Sequence, residues 1–226
     1  TALIVNHLRS LQFEVRCGRA VIHPDFVMGR DPLLVAEAIA RAKRQGVSEE
    51  LLSELDGFTG AVGIWDSGRP GPVTAFRFDI DCVQVGETSD PAHEANAGGY
   101  ASQRPNLMHA CGHDGHLAVG LGVAQWIKDH ADQLCGKIKL VFPPAEEGTR
   151  GAQPMAESGI LDDVDFIVCT HIGSSVPLHQ VAVCTHGYLA TTKLDIYFEG
   201  VPAHAGANPE KGRSALMAAC SAAMML

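Results

Sequence analysis

Strand-like and helix-like segments alternate along the chain, and this alternation limits the folds that it can adopt. Apolar runs typical of strands occupy 58–65, 72–81, 137–142 and 165–170. Segments with the apolar spacing of a helix occupy 1–12, 31–45, 48–55, 116–130 and 149–158, and the polar stretch 86–107 is expected to be a long surface loop. The order of strands and helices predicts an α/β fold, with a mainly parallel sheet and flanking helices.

Four polar residues follow the carboxyl ends of the predicted strands. Asp81 ends one strand, Glu146 and Glu147 follow the next, and His171 follows the last. Ligands of open α/β sheets bind at the carboxyl ends of the strands. We therefore expect these four side chains to share one site.

The densest group of reactive side chains lies at 108–116, which contains one thiol, three imidazoles and one carboxylate. Cys111 and His113 are alternate residues, and the glycines beside them leave the backbone free to turn both side chains toward one point. Thiolate with imidazole suits zinc, whereas imidazole with carboxylate suits manganese. The segment predicts a metal-dependent hydrolase, and a structural turn with a buried thiol is the alternative.

Glu146 and Glu147 are adjacent acids in a loop between apolar segments. Like charges repel, and a bound cation removes that cost. In a hydrolase, one carboxylate can bind the metal while the other acts as the general base that accepts a proton from water. A solvated acidic turn is the alternative for this pair alone. Taken alone, His171 would be interpreted as a core or loop histidine and Asp81 as a surface acid. Their position at the shared edge of the sheet instead favours His171 as a metal ligand and Asp81 as an acid that supports the site.

The other polar residues of the 108–116 segment have supporting roles in this interpretation. His109 and His116 are expected to orient a ligand or a carboxylate rather than to bind metal directly. Asp114 either supports the site in the same way or caps the helix that follows. The histidines at 7, 23, 93, 130, 179 and 186 have no comparable context and are interpreted as structural.

The pattern changes near the end of the chain. Segments 181–185 and 189–198 alternate apolar and polar residues, which predicts antiparallel strands, and an Ala- and Met-rich helix is predicted over 212–226. We interpret 1–186 as a catalytic α/β metal-binding domain. Residues 187–226 are interpreted as the start of an incomplete α+β domain.

Composition and charge exclude several classes of partner. The formal net charge is −9 and the sequence pI is near 5.6, so nucleic acid and anionic membranes are not expected as partners. No apolar run is long enough to span a bilayer. Seven scattered cysteines and an N-terminus without signal-peptide features predict reduced thiols and a cytoplasmic protein. Most cysteines other than Cys111 are expected to be small buried residues.

Four motifs are similar to those of a known family. They occur at 77–81 (Arg-Phe-Asp-Ile-Asp), 108–116, 144–152 (Pro-Ala-Glu-Glu-Gly-Thr-Arg-Gly-Ala) and 201–216. In order and spacing they resemble the M20 metallopeptidase and amidohydrolase family, in particular its branch of aminoacylase-like and indole-acetyl-amino-acid hydrolases. The resemblance covers nearly the whole chain. It implies an α/β fold of the metal-dependent exopeptidase type, followed by a lid or dimerisation domain.

The resemblance also implies a centre with two divalent metal ions, Mn²⁺ or Zn²⁺. Cys111 resembles the bridging thiolate, and the other ligands implied are His113, Glu147 and His171. Glu146 resembles the general base. These are the residues that the motif positions assign.

Two further residues are assigned by the same resemblance. Asp81 matches the acid that supports the site. His204, in the Pro-Ala-His-Ala-Gly turn at 202–206, resembles a lid-domain histidine that crosses a dimer into the neighbouring active site and stabilises the oxyanion. The partner implied is a second copy of the chain or a homologous subunit, joined through the lid domain.

The implied reaction is hydrolysis of the amide bond of an N-acyl amino acid. The first candidate substrate is p-aminobenzoyl-glutamate, a folate breakdown product, because 57–60, 67–72 and 190–193 are most similar to enzymes that cleave it to p-aminobenzoate and glutamate. Acetyl, indole-acetyl and benzoyl conjugates are the alternative substrates. A catalytically silent scaffold subunit is the alternative from another functional class.

The chain departs from the family pattern in three places. Pro143-Pro144 replaces the usual Gln-Pro before the acidic pair, which is expected to stiffen the loop, and Cys82-Val83 replaces Ala-Leu. The family's last metal-binding histidine and an N-terminal segment with its own His and Glu lie outside this chain. We therefore expect the chain to be a fragment, and the activity to belong to the complete protein.

Overall fold

The computed structural model describes residues 1–173, 176–183 and 194–225. Mutual contacts divide the chain into two units, Thr1–Val181 and Ala182–Leu226. The predicted domain boundary between 186 and 187 lies outside the described residues, as do parts of the strands predicted at 181–185 and 189–198. The division into a catalytic domain and a lid domain therefore stays a prediction.

The first unit contains five strands and six α-helices among its described residues. The strands are β1 (Glu14–Cys17), β2 (Ala61–Asp66), β3 (Val73–Arg77), β4 (Lys137–Phe142) and β5 (Phe166–Cys169). The helices are α1 (Ala2–Ser10), α2 (Pro32–Arg44), α3 (Glu49–Leu55), α4 (Glu94–Gly98), α5 (His113–Asp129) and α6 (Ala152–Ala156). Every strand and helix predicted before position 173 is present, and β1 and α4 are additional.

The five strands form one sheet in the order β1-β2-β4-β3-β5. β3 pairs in parallel with β4 and β5, whereas β2 pairs antiparallel with β1 and β4. Four strands therefore point the same way and β2 opposes them. The reversal of β2 follows from its short connection to β3 at 67–72, which is too short for the crossover that a parallel arrangement needs. The expected α/β fold is confirmed, with a mixed sheet.

Local signals explain where the second and third helices begin. The Asp31 carboxylate accepts a hydrogen bond from the backbone N–H of Leu33 at 2.8 Å, and Pro32 is the first residue of α2. The Ser48 hydroxyl accepts a hydrogen bond from the backbone N–H of Leu51 at 3.3 Å at the start of α3. The N-cap predicted at Asp31 is confirmed.

The segment before α5 differs from its prediction in two ways. α5 begins at His113 rather than at position 116, and Gly112 precedes it with a φ of 82°, a left-handed conformation that glycine adopts without strain. The stretch 86–107 is not a loop throughout, because α4 lies within it. An isolated antiparallel bridge between Val83 and Met108 closes this stretch at its base.

Helices cover both faces of the sheet. Successive residues of β4 point to opposite faces, so Leu140 joins the core cluster that includes Leu8 of α1 and Ile127 of α5. Val141 joins the cluster on the other face, which includes Met155 of α6. The layers of helix, sheet and helix hold the strand ends in fixed positions.

Burial in β5 and at the cysteines is lower than the apolar sequence suggests. Phe166 of β5 is 62% exposed and Ile167 is 51% exposed, and β5 lies at the edge of the sheet. Most cysteines were expected to be buried, but within the described residues only Cys17 is fully buried. Cys169 belongs to the exposed edge strand, and Cys135 lies in the connection between α5 and β4, so both thiols are free and exposed.

The second unit has one α-helix in its described part, α7 (Ala215–Met225), which confirms the helix predicted at 212–226. The described residues 194–198 do not form the predicted strand. Leu194 is 72% exposed and Tyr197 is 92% exposed, because no neighbouring strand among the described residues covers them. Across the described chain, no helix combines the length and apolarity needed to cross a membrane.

Gly120 and Gly122 of α5 provide a matched test of how this helix packs on the sheet. A Cβ at Gly120 would lie 2.6 Å from Phe142 and 2.8 Å from Phe78, whereas a Cβ at Gly122 would have no neighbour within 4 Å. Gly122→Ala is expected to raise the free energy of unfolding by about 1 kcal/mol through helix propensity. Gly120→Ala also overpacks two rings, which costs about 1–3 kcal/mol. Urea denaturation should rank Gly120→Ala as the less stable variant, and equal stabilities would contradict this packing.

Candidate metal centre

The carboxyl ends of three strands meet at one edge of the sheet, because β3, β4 and β5 are parallel neighbours. Asp81 follows β3, the pair Glu146 and Glu147 follows β4, and His171 follows β5. The N-terminal residue of α5, His113, lies within 4 Å of side-chain atoms of both Asp81 and the acidic pair. The structure therefore brings the predicted strand-end residues together with the Cys/His segment.

His113 is fully buried, and the backbone sets the orientation of its ring. Nδ1 lies 3.0 Å from the carbonyl oxygen of Asp81. A carbonyl oxygen can only accept, so Nδ1 carries the proton and Nε2 keeps a lone pair. Nε2 lies 3.7 Å from a Glu146 oxygen and 3.9 Å from a Glu147 oxygen, and it has no hydrogen-bond partner among the described residues. This is the arrangement of a metal-binding imidazole.

His171 is oriented in the same way. Its Nδ1 lies 2.8 Å from the carbonyl oxygen of Ile172, so Nδ1 donates and Nε2 keeps the lone pair. Nε2 lies 3.6 Å from the sulfur of Cys111. Nitrogen and sulfur ligands of one tetrahedral zinc ion, with bonds of about 2.0–2.1 Å and 2.3 Å, lie about 3.5–3.6 Å apart. The two side chains are therefore spaced as ligands of one ion.

Two groups of side chains that share His113 contain the predicted ligands, and each can hold a metal ion. One ligand atom from each of Cys111, His113 and His171 lie within 4.8 Å of one another, and the same holds for His113, Glu146 and Glu147. The first group offers sulfur and nitrogen, and the second offers nitrogen and oxygen. A Glu147 oxygen is also buried without a hydrogen-bond partner in the described part of the chain. These unpaired buried atoms fit a divalent cation.

The Asp81 carboxylate links the end of β3 to the acidic loop. One of its oxygens accepts a hydrogen bond from the backbone N–H of Glu147 at 3.0 Å, and the other lies 3.3 Å from His113 Nδ1. Asp81 thus contacts two of the predicted metal ligands, His113 and Glu147. This geometry agrees with its predicted role as the acid that supports the site.

The electrostatic environment of Cys111 also favours a bound cation. Burial, and then the neighbouring Glu147 carboxylate, raise the pKa of the Cys111 thiol to about 11. The thiolate is the form that binds metal. A thiol among carboxylates ionises readily only when a cation offsets their charge, so ionisation and metal binding are coupled.

A second layer of buried polar residues lies behind these groups. Asp79 is fully buried and pairs with Arg77 at 2.6 Å, and its other oxygen lies 3.9 Å from Nδ1 of His116. Burial raises the pKa of Asp79. Burial, and then two neighbouring imidazoles, lower the pKa of His116 to about 4, so this ring is neutral near pH 7.

His116 was predicted to have a supporting role, whereas no role was predicted for Asp79. The signal for Asp79 was present, because it alternates with Asp81 and so lies on the same side of an extended chain. His113 and His116 are three residues apart, which places them on one face once α5 begins at His113. Because α5 was predicted to begin at position 116, His113 was not placed on the helix and the face that it shares with His116 was not predicted.

The other predicted residues are not members of either group. Asp114 is exposed, and its interpretation as an N-cap is wrong because Gly112 holds that position and Asp114 lies inside α5. His109 is exposed. His204 belongs to the second unit, where it is exposed, and its predicted role stays a prediction.

Comparison with known proteins establishes the family. The model of Peptidase family M20/M25/M40 matches residues 75–224, which is more than half of the chain and includes all the residues of the candidate centre. The chain belongs to this family. The family expected from the four motifs is thereby confirmed.

Relatives within the family have amide substrates in their names. The chain is 49% identical over 220 residues to a Haemophilus influenzae protein named as a homolog of one p-aminobenzoyl-glutamate hydrolase subunit, covering 97% of this chain and 52% of that protein. It is 47% identical over 225 residues to the indole-3-acetyl-aspartic acid hydrolase of Enterobacter agglomerans, covering 99% and 52%. The solved structure of an aminobenzoyl-glutamate utilization protein from Klebsiella pneumoniae matches with a TM-score of 0.62 at 39% identity, covering 78% of this chain and 38% of that chain. The chain spans about half the length of the curated relatives it matches.

Cobalt(II) binding tests whether the Cys111 thiolate is a ligand. Co²⁺ bound by a thiolate shows a sulfur-to-metal charge-transfer absorption in the near ultraviolet. Cys111→Ser is expected to abolish this band, whereas Cys135→Ser, at an exposed thiol, should retain it. A band of unchanged intensity in Cys111→Ser would exclude Cys111 as a ligand.

Proposed function

We propose that the complete protein is a metal-dependent amidohydrolase that acts on N-acyl amino acids. The observation that carries the proposal is the orientation of His113 and His171. Backbone carbonyl oxygens accept from Nδ1 of both rings, so the two unprotonated Nε2 atoms face the acidic pair and the thiol. A silent scaffold subunit, the alternative class, would not need this convergence.

The residues that would hold two divalent ions are Cys111, His113, Glu147 and His171. Thiolate and imidazole favour Zn²⁺, and imidazole and carboxylate favour Mn²⁺, so both metals are candidates. When bound, such ions lower the pKa of water and polarise the scissile carbonyl group. Asp81 keeps His113 and the Glu147 backbone in position for them.

Glu146 is the proposed general base. Its carboxylate lies 3.7 Å from His113 Nε2, at the border of the ligand group, and is partly exposed, so both water and a substrate can reach it. Glu146 accepts a proton from the attacking water and then returns it to the leaving amine. Glu147, held by its backbone to Asp81, remains the metal ligand.

His204 is the proposed oxyanion donor, contributed by a partner subunit. Its Nδ1 accepts hydrogen bonds from the backbone N–H groups of Gly206 at 3.2 Å and Ala207 at 3.1 Å. Because both of these groups are donors, the neutral ring carries its proton on Nε2. An exposed Nε2–H group is the donor that a developing oxyanion requires.

The proposed substrate is p-aminobenzoyl-glutamate, which hydrolysis converts to p-aminobenzoate and glutamate. Support comes from the name of the relative that is 49% identical to the chain. The relative named for indole-3-acetyl-aspartic acid, at 47% identity, supports the alternative of another N-acyl amino acid, with an indole-acetyl, acetyl or benzoyl group. Both candidates have an amide bond between an acyl group and an amino acid.

An assembly with a homologous subunit is proposed for the complete protein, because two relatives are named for one subunit of a hydrolase rather than for the whole enzyme. A homodimer joined through the lid domain is the other possibility that fits a histidine acting between subunits. The proposed location is the cytoplasm. Six described cysteines with free thiols are consistent with a reducing compartment.

Glutamate release from p-aminobenzoyl-glutamate by the full-length protein, supplied with Mn²⁺ or Zn²⁺, tests this function. Glu146→Gln is expected to lower kcat by about 2–4 orders of magnitude, the usual contribution of general acid–base catalysis, while metal content is unchanged. Glu157→Gln, at an exposed acid beside α6, is the matched control. Near-normal turnover in Glu146→Gln would exclude Glu146 as the general base. Activity of the parent on indole-acetyl-aspartate alone would support the other substrate class. Absence of both bound metal and activity would favour a silent scaffold subunit.

Mixing two inactive variants tests whether His204 acts between subunits. His204→Asn is expected to lower kcat by about 2–3 orders of magnitude, the cost of losing one oxyanion donor. In a mixed dimer with Glu146→Gln, one of the two sites would combine an intact Glu146 with an intact His204 from the other protomer. Activity should therefore return on mixing. Failure to recover activity in dimers shown to be mixed would place His204 in the site of its own protomer.

A further inference from the structure

A buried series of polar groups runs from the end of β3 to the segment that carries His171. Arg77 Nη2 pairs with Asp79 Oδ1 at 2.6 Å, and Asp79 Oδ2 faces His116 Nδ1 at 3.9 Å. On the other side of the ring, His116 Nε2 accepts a hydrogen bond from the backbone N–H of Ile172 at 2.9 Å. Asp79 is 0% exposed and His116 is 2% exposed, so water does not screen these contacts.

The backbone contact determines the tautomer of His116. Because the Ile172 N–H donates to Nε2, the neutral ring carries its proton on Nδ1, toward the Asp79 carboxylate. The separation of 3.9 Å is longer than a hydrogen bond, and neither of the two facing atoms has a hydrogen-bond partner in the described chain. The attraction between a buried N–H dipole and a buried carboxylate therefore favours this ring orientation.

His116 is oriented in the opposite sense to the two proposed ligands. In His113 and His171 a carbonyl oxygen accepts from Nδ1 and Nε2 is available, whereas in His116 Nε2 is occupied. One atom each of Asp79, His113 and His116 also lie within 4.8 Å of one another, which would permit a metal ion. The occupied Nε2 and the ion pair of Asp79 with Arg77 favour a positioning role instead.

Ile172 connects this series to His171. Its N–H donates to His116, and its carbonyl oxygen accepts from His171 Nδ1 at 2.8 Å. The rings of His116 and His171 also pack edge to face, with 4.4 Å between their centroids. The side chain of His171 is exposed, and its hydrogen bond to the Ile172 backbone and its contact with the His116 ring orient it.

We propose that Asp79 and His116 are positioning residues for the metal ligand His171, and that they act through the backbone of Ile172. Asp79 orients the His116 ring, the ring holds the Ile172 N–H, and the Ile172 carbonyl oxygen presents His171 Nε2 to Cys111. Neither positioning residue touches metal or substrate. The inference rests on the metal centre proposed above.

Two substitutions at His116 separate the hydrogen-bond acceptor from the rest of the side chain. The side-chain oxygen of glutamine lies near the position of imidazole Nε2, whereas asparagine reaches only the position of Nδ1. His116→Asn is expected to weaken Co²⁺ binding about 10–100-fold, the usual effect of losing a residue that orients a metal ligand, and to alter the Co²⁺ absorption spectrum. His116→Gln should bring the Co²⁺ affinity and the absorption spectrum back toward those of the parent. Asp79→Asn should weaken Co²⁺ binding because it removes the charge that orients the His116 ring.

The measurement is the Co²⁺ dissociation constant of the full-length protein, by competition with a chelator, with circular dichroism to confirm folding. His130→Gln, at the partly buried C-cap of α5, is the control and should match the parent. If His116→Asn does not fold, Asp79→Asn provides the comparison.

Three results would overturn the inference. The first is parent-like affinity and spectrum in the folded His116→Asn or Asp79→Asn variant. The second is an equal loss in His116→Gln and His116→Asn, because the acceptor at Nε2 would then have no role. The third is the loss of one bound ion in the Asp79 and His116 variants, which would make these residues ligands. A parent that binds no Co²⁺ would instead overturn the proposed metal-dependent function.

Discussion

The candidate centre depends on two hydrogen bonds from imidazole to backbone carbonyl oxygens. Nδ1 of His113 donates to Asp81 and Nδ1 of His171 donates to Ile172, at 3.0 and 2.8 Å. Each bond fixes the tautomer of its ring and leaves a lone pair on Nε2. Because the acceptors belong to the main chain just after two strands, the fold itself determines which nitrogen is available to a metal ion.

The sheet explains why these carbonyl groups lie at one place. β3, β4 and β5 are parallel, so the segments that follow them leave the sheet at the same edge, where α5 begins. Gly112 allows the chain to turn into α5 so that Cys111 and His113 both face this edge. β1 and β2, which pair antiparallel with each other, lie on the far side of the sheet and widen it without contributing any of these residues.

Much of the fold and of the site could be predicted because the evidence is local in sequence. The strand at 137–142 and the strand-end acids are marked by adjacent residues, and the Cys/His segment is compact. β1 has only four residues, and its pairing with β2 depends on residues far along the chain, so no local pattern marked it. The exposure of β5 depends on sheet order, and the contact between Asp79 and His116 depends on how α5 packs against the end of β3.

Charge links the proposed chemistry to the stability of the first unit. Asp79, Asp81, Glu146 and Glu147 lie around His113, and Arg77 pairs with one of them. Burial raises the pKa of Asp79, which means that the folded chain disfavours its charged form. A divalent cation at this edge would favour the charged forms of the acids around it, because its positive charge offsets their mutual repulsion. An ion that binds only the folded chain stabilises it in proportion to the logarithm of its concentration over the dissociation constant. The acids that make the centre suited to hydrolysis are therefore also the groups through which metal binding would stabilise the fold.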